Sequence, residues 1–147
     1  MTALTLAQAS TIVDQALEHA RAMKFKPMAV AVLDAGGHLL AFKREDGASI
    51  LRPQIAQGKA WGVLGMGFGG REFARRVQAG AAAQTFLNSL MVASEGRIVP
   101  VLGGVLIRAS DRTIIGSVGV TGEVSENDEA CAVAGIKAAG LTPDTGE

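Results

Sequence analysis

Two pairs of apolar runs in this sequence are joined by turns so short that each pair must be antiparallel. Met28–Asp34 and His38–Lys43 are separated by Ala-Gly-Gly, and Val105–Ala109 and Thr113–Val120 are separated by Ser-Asp-Arg. Parallel neighbours need a crossover of a dozen or more residues, whereas two or three residues are enough for a hairpin. The sequence therefore predicts two hairpins.

A fifth strand is predicted at Ile98–Leu102, an apolar run that ends at Gly103-Gly104. Apolar residues at i, i+3 and i+4 spacing predict helices elsewhere. These helices cover a segment from a T-x-x-Q capping box at Thr5 to about Met23, Ala48–Met66, a weaker Glu72–Thr85, and Ser125–Ala139 with a stop signal at Gly140. The glycine-rich segment Gly65–Gly70 separates the second predicted helix from the third. Asn88–Glu95 has no clear helix or strand pattern.

The predicted order is helix, hairpin, two helices, three strands and helix. This order favours an α+β fold in which helices cover a five-stranded, mainly antiparallel sheet. Residues 1–147 are long enough for one domain with a substantial core, and no linker or internal repeat divides them.

Composition narrows the classes of function. Hydrophobic residues make up 48% of the chain and charged residues 19%, and the apolar share is mostly alanine and valine. A small chain this apolar is expected to cover part of its surface by forming a homo-oligomer. The net charge is zero, without the basic stripe that nucleic-acid binding requires.

The cysteine content, the N-terminal residues and the apolar runs bear on where the protein is located. The single cysteine, Cys131, excludes an intrachain disulfide framework and a cysteine-rich zinc site. The N-terminal residues lack a signal-peptide pattern, and no run of about 18 apolar residues indicates a membrane span. We therefore expect a cytoplasmic protein with no membrane or nucleic-acid partner.

The stretch IIGSVGVTGEVSENDEA, Ile114–Ala130, resembles a nucleotide-binding loop at first sight. Its glycines are spaced G-x-x-G-x-x-G, which is neither the dinucleotide fingerprint nor a P-loop, and it follows an antiparallel strand. The acids after Gly122 would repel a phosphate at the helix N-terminus. Two interpretations remain: the loop caps a helix, with Ser125 and Asp128 as a capping-box-like start, or it lines a pocket for a polar or cationic ligand.

Four segments together resemble a known family. They are AVLDAGGHLLAFKREDGA (31–48), IAQGKA (55–60), VLGGVLI (101–107) and IIGSVGVTGEVSENDEACAVAG (114–135). The ordered set is similar to the GlcG/HbpS family, which includes the C-terminal domain of PduO-type proteins. The resemblance implies a profilin-like fold and a homo-oligomer, often an octamer. It also implies haem binding in some members, while other members accompany glycolate or corrinoid metabolism.

A haem needs an axial ligand, and the sequence offers few. His19 lies at the edge of the first helix's apolar face and is the one weak candidate. His38 is expected to be an exposed strand residue, and Cys131 a small buried hydrophobe. No pair of histidines at i, i+4 spacing indicates a metal site, so none is predicted.

Charged residues among apolar neighbours are the other candidates for a ligand site. Lys59 lies in an apolar helical run, so it must pair with an acid, extend to solvent or serve a ligand, and Asp128 or Glu129 is its expected partner. Arg44 is either a solvated strand end or a clamp for a carboxylate. Gly103 and Gly104 are expected to make a turn with φ > 0, which would also let a ligand approach the backbone. Asp34 is expected to accept hydrogen bonds within its turn.

Two functions are consistent with these residues, and no catalytic residue is assigned. The first is a small-ligand-binding oligomer whose ligand is haem or another tetrapyrrole, as the resemblance implies, with Arg44 or Lys59 at the carboxylates. The alternative is an enzyme or enzyme accessory that acts on a small carboxylate, in which Lys59 and its acidic partner would transfer protons.

Overall fold

The computed structural model describes residues 2–147. Along the chain the elements are α1 (Leu6–Ala22), β1 (Ala29–Asp34), β2 (Leu39–Arg44), α2 (Arg52–Met66), α3 (Gly70–Gln78), α4 (Ala81–Ala93), β3 (Gly104–Arg108), β4 (Ile114–Thr121), α5 (Ser125–Ala138) and β5 (Thr142–Asp144). The predicted α+β class is confirmed, as is the capping box that begins α1, where the Gln8 amide N–H donates to the Thr5 hydroxyl.

The five strands form one open sheet in the order β2-β1-β4-β3-β5, and every neighbouring pair is antiparallel. Both predicted hairpins are present, β1 with β2 and β3 with β4. The central pair, β1 and β4, is brought together by a long connection, with Ala29 opposite Thr121. The start of β1 and the end of β4 are therefore neighbours at the same end of the sheet.

Helices cover the two faces of the sheet unequally. α1 and α5 pack together over a face of valines, which includes Val30, Val32, Val118 and Val120. On the other face α2 lies over small residues, because Ala29, Ala31 and Ala56 are in mutual contact there. Small residues at such a contact let a helix approach a sheet closely, which brings polar groups of α2 near the strand ends.

Gly119 shows why the glycine-rich run of β4 is present. A Cβ on this residue would collide with the backbone carbonyl of Ala56 in α2. The glycine thus makes room for a helix backbone, and the run needs no ligand to explain it.

One predicted strand is wrong, and one strand of the sheet was not predicted. Ile98–Leu102 is outside the sheet, because Pro100 has no N–H to donate and the Val99 N–H donates to the carbonyl of Gly58 in α2 instead. The fifth strand is β5, whose Thr-Pro-Asp sequence has no strand pattern and which pairs with β3 at the sheet edge.

The helix boundaries also differ from those predicted from sequence. The helix predicted from Ala48 begins at Arg52, because Pro53 fits without cost only in a first turn. The predicted Glu72–Thr85 helix is two helices, α3 and α4, separated at Gly80, whose φ of +119° breaks the helical path. The segment without a pattern, Asn88–Glu95, lies mostly within α4.

The start of α5 is built differently from the predicted capping box. Val124 is the N-cap residue, and no side chain caps it. Asp128 accepts a hydrogen bond from the Glu123 N–H, which precedes the helix, and Ser125 is the first helical residue. The C-terminal signal is correct, since Gly140 follows the helix with φ +76°.

Among residues 2–147, no helix has both the length and the apolar character needed to cross a membrane.

Candidate functional site

Lys59 and Asp128 form an ion pair in the interior. Lys59 Nζ lies 3.0 Å from Asp128 Oδ2 and 3.0 Å from the Val120 carbonyl oxygen, to which it also donates. The two side chains are 4% and 1% exposed. The predicted pairing of Lys59 with one of the two acids of α5 is confirmed, and the partner is Asp128.

Burial acts against both charges of this pair. It lowers the pKa of Lys59 and raises the pKa of Asp128, while each charge counteracts the effect on the other. The second carboxylate oxygen of Asp128 accepts the Glu123 N–H at 2.9 Å. Both groups are thus hydrogen-bonded, which is the condition under which a buried pair is tolerated.

Gly103 and Gly104 complete this interior junction. Gly103 has φ +105°, and a Cβ there would lie 2.7 Å from Lys59 Nζ. Gly104 is already the first residue of β3, so only Gly103 has the predicted positive φ. A Cβ on Gly104 would lie 2.5 Å from the Lys59 carbonyl oxygen. Four of the residues expected at a ligand site, Lys59, Gly103, Gly104 and Asp128, therefore do meet, inside the protein.

Arg44 and Glu129 do not join this junction. Arg44 ends β2 and donates to the Ala48 carbonyl at 2.8 Å, so it holds its own loop. Glu129 faces α3, where Arg71 donates to it through Nε at 3.0 Å and through a terminal nitrogen at 2.7 Å. That a ligand contacts any of these six residues stays a prediction.

Asp34 and Cys131 lie where the sequence placed them, whereas His38 precedes β2 by one residue and is not the strand residue that was expected. His38 is exposed, and its Nδ1 is 3.2 Å from Asp34 Oδ1. Asp34 accepts the N–H groups of His38 and Gly36, which lower the pKa of its carboxyl, so its predicted turn role is confirmed. Cys131 is buried, and burial raises the pKa of its thiol to about 12. Within residues 2–147 no three His, Cys, Asp or Glu side chains cluster as a metal site.

His19 opens onto a groove along α5. Its ring is half-buried and meets Phe25 edge-on, with centroids 6.3 Å apart. The groove encloses about 590 Å³. Its other lining residues are Arg71, Leu102, Glu126, Glu129, Ala130, Val133, Ala134 and Lys137.

The chemistry of this groove differs from that of the interior junction. Ala130, Val133 and Ala134 share one face of α5 at helical spacing and give it an apolar floor. Lys137 lies one turn beyond Val133 on the same face, and no carboxylate lies within 4 Å of it in residues 2–147. Lys137 lies in the last turn of α5, and Glu126 lies in its first turn.

Sequence reasoning found His19 and Glu129 but missed most of this groove. The spacing of Ala130, Ala134 and Lys137 was a signal, because it marks one face of a helix with small residues and a terminal cation. Arg71 and Leu102 gave no such signal. They reach α5 only through the packing of α3 and of the segment before β3.

The fold and the groove together define a class of protein: an open antiparallel sheet between helices, with one histidine beside an apolar groove on the last long helix. The chain belongs to the HbpS-like family. The model of that family, described as haem-degrading protein HbpS-like, matches residues 4–137.

One relative and several solved structures are similar to this chain over most of its length. An uncharacterized 15.0 kDa protein of Citrobacter freundii, from the dhaT-dhaS intergenic region, is 34% identical over 126 residues, which are 85% of this chain and 84% of that protein. A crystal structure of a PduOC:heme complex superposes with a TM-score of 0.83 at 27% identity, covering 99% of this chain and 100% of that one. The Klebsiella pneumoniae protein ORFY gives 0.81 at 27% identity, covering 95% and 93%. A double mutant of Streptomyces reticuli HbpS gives 0.76 at 26%, covering 93% and 87%.

Proposed function

We propose that this protein binds haem or a related tetrapyrrole in the groove along α5. The observation that carries the proposal is the combination of a half-buried histidine, an apolar floor and a free cation in one groove. A tetrapyrrole is a flat apolar ring that bears carboxylates, and an iron at its centre takes an imidazole ligand. The residues present therefore fit the group.

The relatives support the ligand class. One similar structure is a complex with heme, and the family description names haem degradation. These statements concern the relatives, and for this chain they supply the choice of haem among flat apolar ligands. The lining of the groove supports the proposed position.

Four of the lining residues have a role in the proposal. His19 would donate its imidazole to the iron, Ala130 and Val133 would contact the ring, and Lys137 would bind a carboxylate. Lys137 replaces Lys59 and Arg44 in this role, because Lys59 is buried in an ion pair with Asp128 and Arg44 lies at the end of β2. A bound haem would supply a redox-active iron, whose reactivity depends on its axial ligand and on the polarity of its pocket.

Titration with haemin, followed by its Soret absorption, tests the proposal. We expect a shifted Soret band with a saturable end point for the native chain, and its loss in His19→Ala. His38→Ala is the matched control, because His38 is the other histidine and is exposed at the far turn. Lys137→Ala should weaken binding by roughly fivefold, as expected for one exposed charge contact of about 1 kcal/mol.

The proposal is wrong if the native chain gives no Soret shift, or if His19→Ala and His38→Ala bind haemin equally. A Soret shift that persists in His19→Ala would show that haemin binds elsewhere on the chain.

The alternative function, an enzyme or accessory that acts on a small carboxylate, rested on proton transfer by Lys59 and its acid. The pair is in place, but its side chains are 4% and 1% exposed and their hydrogen bonds are internal. A substrate does not reach them in this arrangement. The geometry therefore favours ligand binding over this chemistry.

We also propose that the chain associates with itself, as its composition and resemblance lead us to expect. α4 supports this, because its sequence is apolar while Leu87 is its only buried residue. Val92 is 80% exposed and Phe86 is 45% exposed on this helix. Light scattering should give a multiple of 15.1 kDa, and a Val92→Lys variant should give a smaller assembly. A native chain that scatters as a monomer would remove this part of the proposal.

A further inference from the structure

A second cleft lies on the other face of the sheet, between α2 and the segment that follows α4. It encloses about 350 Å³. One face of α2 forms a wall with Gln54, Gln57 and Trp61, which are spaced at three, four and seven residues. Leu39 of β2 contributes an apolar floor, and Arg97 closes the cleft from the opposite side. None of these residues takes part in the α5 groove.

Arg97 is exposed, and its side chain stacks on α2. Its guanidinium carbon lies 4.0 Å from the centroid of the Trp61 ring, a cation–π contact. The backbone beneath it is fixed to α2, because the Val99 N–H donates to the Gly58 carbonyl at 3.2 Å. Gly58 is required for this approach, since a Cβ there would lie 2.8 Å from the Arg97 carbonyl oxygen.

The charge of Arg97 has no counter-ion in residues 2–147. No carboxylate lies within 4 Å of it, and its guanidinium donates no hydrogen bond there. By contrast, Arg71, Arg75 and Arg108 each bind an acid. A stacked guanidinium keeps its in-plane donors free, and these match the two oxygens of a carboxylate.

Further polar groups beside the cleft are also available. The indole N–H of Trp61 has no acceptor among residues 2–147, although it lies close to Gly37 of the β1–β2 turn. The Gln57 amide nitrogen donates to the Pro53 carbonyl at 3.3 Å, and its oxygen accepts no hydrogen bond from residues 2–147. An apolar floor with a few convergent polar groups is the usual composition of a small-molecule site.

We propose that this cleft binds a small planar organic carboxylate, with the carboxylate on Arg97 and the apolar body between Trp61 and Leu39. Two features select this class of ligand. The cleft is at the small end of the range for ligand sites. Its lining contains one arginine and one acid, Glu95, whose negative charge disfavours a phosphate with two negative charges more than a singly charged carboxylate. This site is independent of the proposed tetrapyrrole groove.

Benzoate and benzamide are suitable probes, because they have nearly the same shape and differ in charge. Trp61 is the only tryptophan of the chain and lines this cleft, so its fluorescence responds to a ligand bound there. We expect benzoate to change the fluorescence saturably, and benzamide to bind roughly tenfold more weakly or less well, the size expected for a charge-assisted hydrogen bond. Isothermal titration calorimetry measures the same affinities without relying on the fluorophore.

Two variants test the role of Arg97. Arg97→Met keeps the length of the side chain and removes the charge, so benzoate should lose roughly tenfold or more in affinity while benzamide is unaffected. Arg112→Met is the matched control, because Arg112 is exposed, has no carboxylate partner among residues 2–147 and lines a different groove. Thermal unfolding of both variants checks that they fold.

The proposal is overturned if the native chain binds neither probe by fluorescence and calorimetry, if benzamide binds as well as benzoate, or if Arg112→Met costs as much as Arg97→Met. Competition separates the two sites: haemin should leave benzoate binding unchanged. Displacement of benzoate by haemin, in a manner that His19→Ala abolishes, would show one shared site and would end this proposal. Failure to bind haemin, in turn, leaves the benzoate result intact.

Discussion

Asp128 and Glu129 are consecutive carboxylates in one helix, and both side chains are buried, at 1% and 7% exposed, but their cationic partners have opposite surroundings. Asp128 faces the interior, where Lys59 is 4% exposed. Glu129 faces α3, where its partner Arg71 is 41% exposed and also contacts Glu147 at 2.6 Å. In sequence both acids were equal candidates for Lys59. The difference teaches that one helical step of about 100° decides whether an ion pair fixes the interior or borders a groove.

The interior side of α5 should be far more sensitive to loss of charge than the groove side. Asp128→Asn keeps an acceptor for the Glu123 N–H but leaves the Lys59 ammonium buried without a counter-ion. Removal of one partner of a buried pair costs about 3–5 kcal/mol. We therefore expect Asp128→Asn to lose that much free energy of unfolding, measured with urea at neutral pH.

A double variant separates the charge from the contact. Lys59→Met combined with Asp128→Asn buries no charge, so it should be more stable than Asp128→Asn alone. A cost below about 1 kcal/mol for the single variant would show that water or movement of α2 relieves the lysine, and the contrast between the two acids would then be lost.

Cys131 gives a pH-dependent test of the same interior side. Burial raises the pKa of its thiol from 9.0 to about 12. The folded state therefore keeps the proton while the unfolded chain releases it, so this contribution to stability is fully present below pH 9 and is lost as the pH rises towards 12. At about pH 10.5 the native chain should have lost about 2 kcal/mol from this group alone.

Cys131→Ala removes this contribution and leaves every other titrating group unchanged. The free energy of unfolding, measured in a reductant at pH 8 and at pH 10.5, should fall less in the variant than in the native chain. Parallel falls in both proteins would mean that the thiol already ionises in the folded state, and that the interior side of α5 is open to solvent.

A structural feature of this molecule could be predicted from the sequence where the interactions that produce it lie within a few residues. The hairpins, α1 and the Gly140 stop were predictable because short turns, a capping box and helical spacing act within a few residues. The Lys59–Asp128 pair was predictable because a lysine in an apolar run needs a partner. Ile98–Leu102 has the same apolar pattern as a strand, and besides Pro100 it is the distant contact of Val99 with Gly58 that keeps this segment out of the sheet.

The two proposed binding places were harder to predict for the same reason. Arg71 and Arg97 look like ordinary charged residues in the sequence, since nothing near them in the chain indicates their neighbours. Arg71 becomes part of the groove because α3 packs beside α5, and Arg97 faces a cleft because it stacks on Trp61. Such positions depend on contacts between distant segments, which no local pattern encodes.

Glu129→Gln gives the smallest effect and completes the comparison. The variant keeps the shape of the side chain and removes the charge that faces Arg71. Glu129 is 7% exposed, but Arg71 is 41% exposed, so solvent reaches the pair from the arginine side and screens it, and we expect a loss of about 1 kcal/mol in the free energy of unfolding. That loss should shrink further in about 1 M salt, where the screening length falls to roughly 3 Å, whereas the loss in Asp128→Asn should persist, since buried pairs are screened much less. Urea unfolding of both variants at low and high salt measures this difference. Equal salt dependence in the two variants would mean that the Lys59–Asp128 pair is as accessible to ions as the Arg71–Glu129 pair, and would contradict the assignment of the Lys59–Asp128 pair to the interior.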